Sequence, residues 1–111
     1  MKVEIIPCLS DNYSYLIHDR KSNTVSIVDP SDFKPCDEVI KKYKKLDFIL
    51  NTHHHADHVG ANLKLKKKYN SKILGSQADK NRIPGIDILL EENQKYKIGN
   101  LEFKVIFIPG H

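Results

Sequence analysis

No stretch limits the fold of this chain as much as "NTHHHADHVG", residues 51–60. It places four of the chain's six histidines, with Asp57 among them, between an apolar run and a helical pattern. The run before it, "DFILNT" (47–52), reads as a short strand, and "GANLKLKKKY" (60–69) after it reads as a helix. In open α/β sheets, sites form outside the carboxyl ends of strands. Residues two apart in an extended segment point the same way, so His53 and His55 reach one ion together while His54 points away. Asp57 and His58 enter the helical turn, face another direction and suit a second ion. The spacing H-x-H-x-D-H therefore fits a two-metal site, with ions ~3.5–4 Å apart sharing a water. Imidazole with carboxylate suits zinc, with iron or manganese as alternatives, whereas magnesium and calcium want oxygens. A catalytic ion usually takes three protein ligands and keeps one position open. His111, aimed by the "PG" turn after an apolar strand, is the expected third. An isolated HxH would read as a histidine-rich loop without metal; the full pattern between strand and helix does not. His18 reads as an exposed strand-end residue.

The rest of the chain supplies the sheet. "KVEIIP" (2–7), "YSYLIH" (13–18) and "TVSIVD" (24–29) alternate or are β-branched and are separated by turn residues, which predicts an antiparallel meander. "PSDFKP" (30–35) reads as a loop. "CDEVIKKYKKL" (36–46) places Val39, Ile40, Tyr43 and Leu46 on one helical face, with acidic residues in its first turn and lysines in its last. "SKILGS" (71–76) is a strand, a loop with Pro84 and Gly85 follows, and "YKIGNLEFKVIFIP" (96–109) is a hairpin through Gly99-Asn100. The expected class is α/β (α+β): a mixed sheet with helices on at least one face.

At 111 residues the chain holds one domain at most. No apolar run approaches the ~20 residues of a membrane helix. The N-terminus lacks a long apolar stretch and a cleavage site, so a cytoplasmic location without membrane association is expected. The net charge of +4 comes mainly from lysines in "KKYKK" (41–45) and "KLKKKY" (64–69). Both runs sit in helical patterns without interleaved aromatics, so they read as solvated helix faces and not as a nucleic-acid surface. Cys8 and Cys36 lie too far apart for a CxxC motif and read as reduced, partly buried thiols.

"THHHADH" (52–58) after an apolar strand resembles the signature of the metallo-β-lactamase superfamily. With "DNYSYLI" (11–17), "IVDP" (27–30), "THHHADHVGAN" (52–62) and "IPGH" (108–111), the chain is similar to the hydroxyacylglutathione hydrolase (glyoxalase II) family over nearly its whole length. The resemblance implies an αββα sandwich, of which residues 1–111 are the N-terminal part, ending after the PGH turn. It implies two divalent metal ions, with His53, His55 and His111 on the first and Asp57 and His58 on the second. Asp57 would also orient the attacking water or accept its proton. Asp29 matches an aspartate behind the site that orients a ligating imidazole, although a turn aspartate before Pro30 reads equally well. The implied substrate is a small glutathione thioester, such as S-D-lactoylglutathione, hydrolysed to D-lactate and glutathione in methylglyoxal detoxification. Ala61 stands where the family often has a second glycine. In the family pattern a bridging aspartate, a further histidine and the groups that bind glutathione follow the PGH turn. The resemblance thus also admits an inactive or split metal-binding fragment. Such a chain would associate through an uncovered sheet face or with a separately encoded C-terminal half. Another hydrolase of the fold, a persulfide dioxygenase and a nuclease are the remaining alternatives.

Overall fold

The structure is a computed structural model that describes residues 2–8, 12–52, 61–77, 81, 83 and 85–104. The elements, in order, are β1 (Lys2–Cys8), β2 (Asn12–Asp19), β3 (Thr24–Val28), α1 (Phe33–Ile40), β4 (Phe48–Asn51), α2 (Asn62–Tyr69), β5 (Lys72–Ser76), β6 (Ile88–Leu90), β7 (Lys95–Ile98) and β8 (Leu101–Lys104). The first six strands form one sheet in the order β1-β2-β3-β4-β5-β6, and β7 and β8 form a second, two-stranded sheet. β1, β2 and β3 pair antiparallel, as the alternating patterns predict, and β3 to β6 pair parallel. The parallel half follows from the two crossovers through α1 and α2, because parallel neighbours need a long connection.

The pleat sorts side chains into two cores. Ile27, Ile49 and Ile73 from three successive strands meet Cys36, Ile40, Ala61 and Leu65 of the helical layer. Leu50, Leu74 and Leu90 point to the other face and meet Ile98 of the hairpin. The β4 segment is buried on both faces, which is why it reads as an unbroken apolar run. The hairpin covers only part of its face. Val3, Ile5, Tyr13 and Tyr15 lie on the same side of β1 and β2 and remain 56%, 63%, 56% and 40% exposed.

Three expectations are corrected. The first helix begins at Phe33 and ends at Ile40, with a turn at 41–44, so part of "PSDFKP" is helical. Pro35 sits in its first turn, where a missing N–H costs nothing. The shift leaves no acidic residue in the first turn and no lysine in the last. β6 falls where a loop was expected, because three residues are too few to show a period. His18 is half-buried, its ring tilted against that of Tyr43 with centroids 4.8 Å apart, and it is hydrogen-bonded to Asn23 Oδ1 at 3.2 Å. The second helix stops where predicted, with Asn70 in the left-handed conformation at φ 56°.

The lysine runs find partners within the chain. Lys42 meets Glu4 at 2.8 Å, Lys66 meets Asp87 at 2.8 Å and Lys68 meets Asp37 at 2.6 Å. Asp37 also accepts from Tyr69 Oη at 2.5 Å, which ties α1 to α2. Burial opposes its charge, but the Lys68 and Tyr69 hydrogen bonds prevail and hold its carboxyl below the usual range. Asp19 is likewise lowered, first by the Asn100 N–H, which donates to its Oδ2 at 2.7 Å and anchors the hairpin turn. Gly99 at that turn has φ +59°, and a Cβ there would collide with the Ser22 and Thr24 hydroxyls. The cysteines are free and fully buried, with Sγ atoms 3.6 Å apart, and burial pushes the Cys36 thiol up to about 12.

A pH dependence follows from these carboxylates. Asp19, Asp37 and Asp87 are all depressed from an ordinary value of 3.8. The unfolded state therefore binds protons first as pH falls. Their contribution is fully present above about pH 5 and is lost as pH drops through the folded-state values. Urea midpoints should be flat between about pH 5 and 7 and fall below about pH 4. A midpoint that rises on acidification would contradict these ion pairs.

Candidate metal centre

The parallel strands β3, β4 and β5 end on the same edge of the sheet, and the histidine segment follows β4 in the chain. Just past the end of β3 stands Asp29, buried and with φ +50°, a conformation that aspartate tolerates better than most residues. Its backbone is held on both sides. Its N–H donates to the Leu50 carbonyl at 2.8 Å, and its own carbonyl accepts from Ser14 Oγ at 2.7 Å. The left-handed turn swings its carboxylate across to the end of β4. There Oδ1 accepts the Thr52 N–H at 2.7 Å, and Oδ2 accepts the Thr52 hydroxyl in a short hydrogen bond. A carboxylate with two donors makes the stronger, charge-assisted kind of bond.

The far end of the segment is held in the same neighbourhood. Ala61 N–H donates to the Pro30 carbonyl at 3.1 Å. Asn51, the last residue of β4, and Asn62, the first of α2, exchange amide hydrogen bonds of 3.3 and 2.5 Å. Both side chains are buried. Ala61 is itself fully buried in the helical core, so the extra methyl relative to glycine is accommodated.

Of the sequence-predicted site residues, Asp29 is described, and it faces the strand end from which the candidate ligands depart. His53, His55, Asp57, His58 and His111 lie outside the described residues. Among the described residues, no group of three or more His, Cys, Asp or Glu side chains is placed to hold an ion. Asn51, Thr52, Asn62 and Ser14 were not singled out from sequence. The signal for two of them was present: an asparagine stands just outside each end of the histidine pattern.

The chain is similar to known proteins in sequence and in fold. Residues 11–111 match the Metallo-beta-lactamase superfamily. The chain is 47% identical over 112 residues to a hydroxyacylglutathione hydrolase of Pelagibacter ubique, covering 100% of this chain and 47% of that protein. It is 40% identical to the hydroxyacylglutathione hydrolase of Methylococcus capsulatus, covering 96% of this chain and 42% of the relative. The chain thus spans about half the length of the curated relatives it matches. Among solved structures, ETHE1 from Myxococcus xanthus superposes with a TM-score of 0.78 at 23% identity, over 94% of this chain and 47% of that one. A subclass B3 metallo-beta-lactamase of Bradyrhizobium japonicum gives 0.75 at 21% identity, over 96% of this chain and 47% of its own. These structural likenesses carry the fold alone. By sequence and by fold, the chain belongs to the metallo-β-lactamase superfamily, and its curated relatives there are hydroxyacylglutathione hydrolases.

Proposed function

We propose that residues 1–111 are the N-terminal part of a metal-dependent thioester hydrolase acting on S-2-hydroxyacylglutathione. The observation that carries the reading is the Asp29 carboxylate fastened to Thr52, the residue before His53, in a chain whose relatives bear that enzyme's name. Imidazoles and a carboxylate leaving a rigid strand end are the donor set of a borderline divalent ion, so the residues present fit a metal. Zinc is the ion proposed, with iron and manganese as alternatives. His53, His55 and His111 would hold one ion, and Asp57 and His58 a second. Bound there, the metal supplies Lewis acidity and a water acidified to near neutral pH.

The chain's own residues do the rest. Asp29 holds Thr52, the residue before His53. Asp57 orients the attacking water or takes its proton at a carboxylate oxygen. Hydrolysis breaks the C–S bond and yields a 2-hydroxy acid and glutathione, whose thiolate leaves without acid assistance. No helix among the described residues is long and apolar enough to cross a membrane. The cytoplasm is the proposed location.

A second reading has its own observation. The bare face of β1 and β2 fits a metal-binding fragment that must associate, with its own kind or with a separately encoded C-terminal half, before it turns over substrate. A chimera tests the hydrolase reading. Residues 1–111 replace the matching part of the Pelagibacter ubique relative, and S-D-lactoylglutathione hydrolysis is followed by loss of the thioester absorbance. Turnover that His55→Ala abolishes is the expected result. A folded, metal-loaded chimera without turnover would sink the substrate assignment.

A further inference from the structure

We propose that Asn51 and Asn62 are positioning residues that close the two ends of the histidine segment into one frame and thereby set its affinity for metal. The inference rests on the metal reading above and adds residues that reading does not use. Asn51 is 5% exposed and Asn62 fully buried, and each side chain both donates to and accepts from the other. Eight residues, 53–60, separate Thr52 from Ala61, and four of them are the candidate ligands His53, His55, Asp57 and His58. Thr52 is fastened to Asp29, and Ala61 to the Pro30 carbonyl next to it. The amide pair spans the gap between these two fastenings. Both ends of the segment thus start from one rigid turn, Asp29-Pro30.

An apolar pair would fill the same space without burying two amides, each of which costs free energy unless bonded. What the amides add is direction. A reciprocal pair fixes both the distance and the relative rotation of the end of β4 and the start of α2. Metal ligands need that kind of support, since losing a group that orients a ligand typically costs about 10-fold to 100-fold in metal affinity. A segment whose ends are already fixed also loses less freedom on binding an ion.

The test measures zinc affinity by competition with a chromophoric chelator, at a temperature where each variant of the 111-residue chain is folded. Asn62→Ala and Asn51→Ala should weaken zinc binding by about 10-fold to 100-fold. Asn62→Asp, which keeps one of the two bonds, should fall between them and the unaltered chain. It also serves as the readable variant if the alanine forms do not fold. Amide exchange of the metal-free protein gives a second readout, in which the Thr52 and Ala61 N–H groups should exchange faster in Asn62→Ala while those of β2 and β3 do not. Zinc binding lost in His55→Ala but unchanged in the asparagine variants would overturn this inference and leave the metal reading standing. No zinc binding by the unaltered chain would sink both. Variants that lose stability while the folded fraction binds zinc as before would reduce the pair to a structural role.

Discussion

Asp29→Ala is expected to cost this chain a large share of its stability, and Asp29→Asn much less. Two terms add up. The carboxylate accepts the Thr52 N–H and hydroxyl, and hydrogen bonds to a charged group contribute roughly 1.5–3 kcal/mol each. Residue 29 also holds φ +50°, where alanine is strained by about 1–2 kcal/mol. Against a typical total of about 5–15 kcal/mol, the loss of several brings a domain of this size close to unfolding. Asparagine tolerates the left-handed turn and keeps an oxygen for the Thr52 N–H, so it forfeits mainly the charge. Asp29→Gly separates the terms by relieving the backbone while removing the acceptors. Urea unfolding should therefore rank the stabilities as the unaltered chain first, then Asn, Gly and Ala. Equal midpoints for Asn and Ala would mean that the contact to Thr52 contributes little. The same order is expected in zinc affinity, because the segment bearing His53 and His55 begins at the residue Asp29 holds.

That contact marks where sequence reasoning runs out. The H-x-H-x-D-H spacing could be read as metal chemistry because it depends on neighbours in the chain and on a strand and helix either side. Alternation gave β1 to β3, and the unbroken apolar run gave β4, for the same local reason. Asp29 was visible only as one of two readings, since nothing in "IVDP" says that its carboxylate crosses 23 residues to Thr52. Asn51 and Asn62 could be seen flanking the pattern, but not that they pair: which side chains meet is decided by the crossover between strands, not by either stretch alone. The start of α1 was missed because proline and aspartate in "PSDFKP" look like loop residues, yet both are at home around a helix's first turn.

The remaining large effect concerns what covers β1 and β2. The chain alone should hydrolyse S-D-lactoylglutathione poorly or not at all, and mixing it with the remaining, separately expressed half of the Pelagibacter ubique relative should restore turnover. The β7–β8 hairpin already begins a second layer over Leu50, Leu74 and Leu90, and its turn is pinned by Asn100 to Asp19 at the end of β2. Beside it, on the same face, Val3, Ile5, Tyr13 and Tyr15 stand bare. Further strands continuing the hairpin's sheet would cover them, in the sheet-on-sheet packing of a sandwich. Left bare, the patch should drive self-association of the isolated chain, visible as a concentration-dependent mass by light scattering. Burying an isoleucine side chain contributes about 1.5–3 kcal/mol. Ile5→Lys should therefore weaken the two-part complex by at least about tenfold while leaving the fold intact, since Ile5 is 63% exposed. Cys36, on the opposite face of the sheet, offers an internal check: the complex should leave it as unreactive toward thiol reagents as it is in the chain alone. Robust turnover by the 111-residue chain without a partner, or an Ile5→Lys complex as tight as the unaltered one, would show that this face is not where the other half sits.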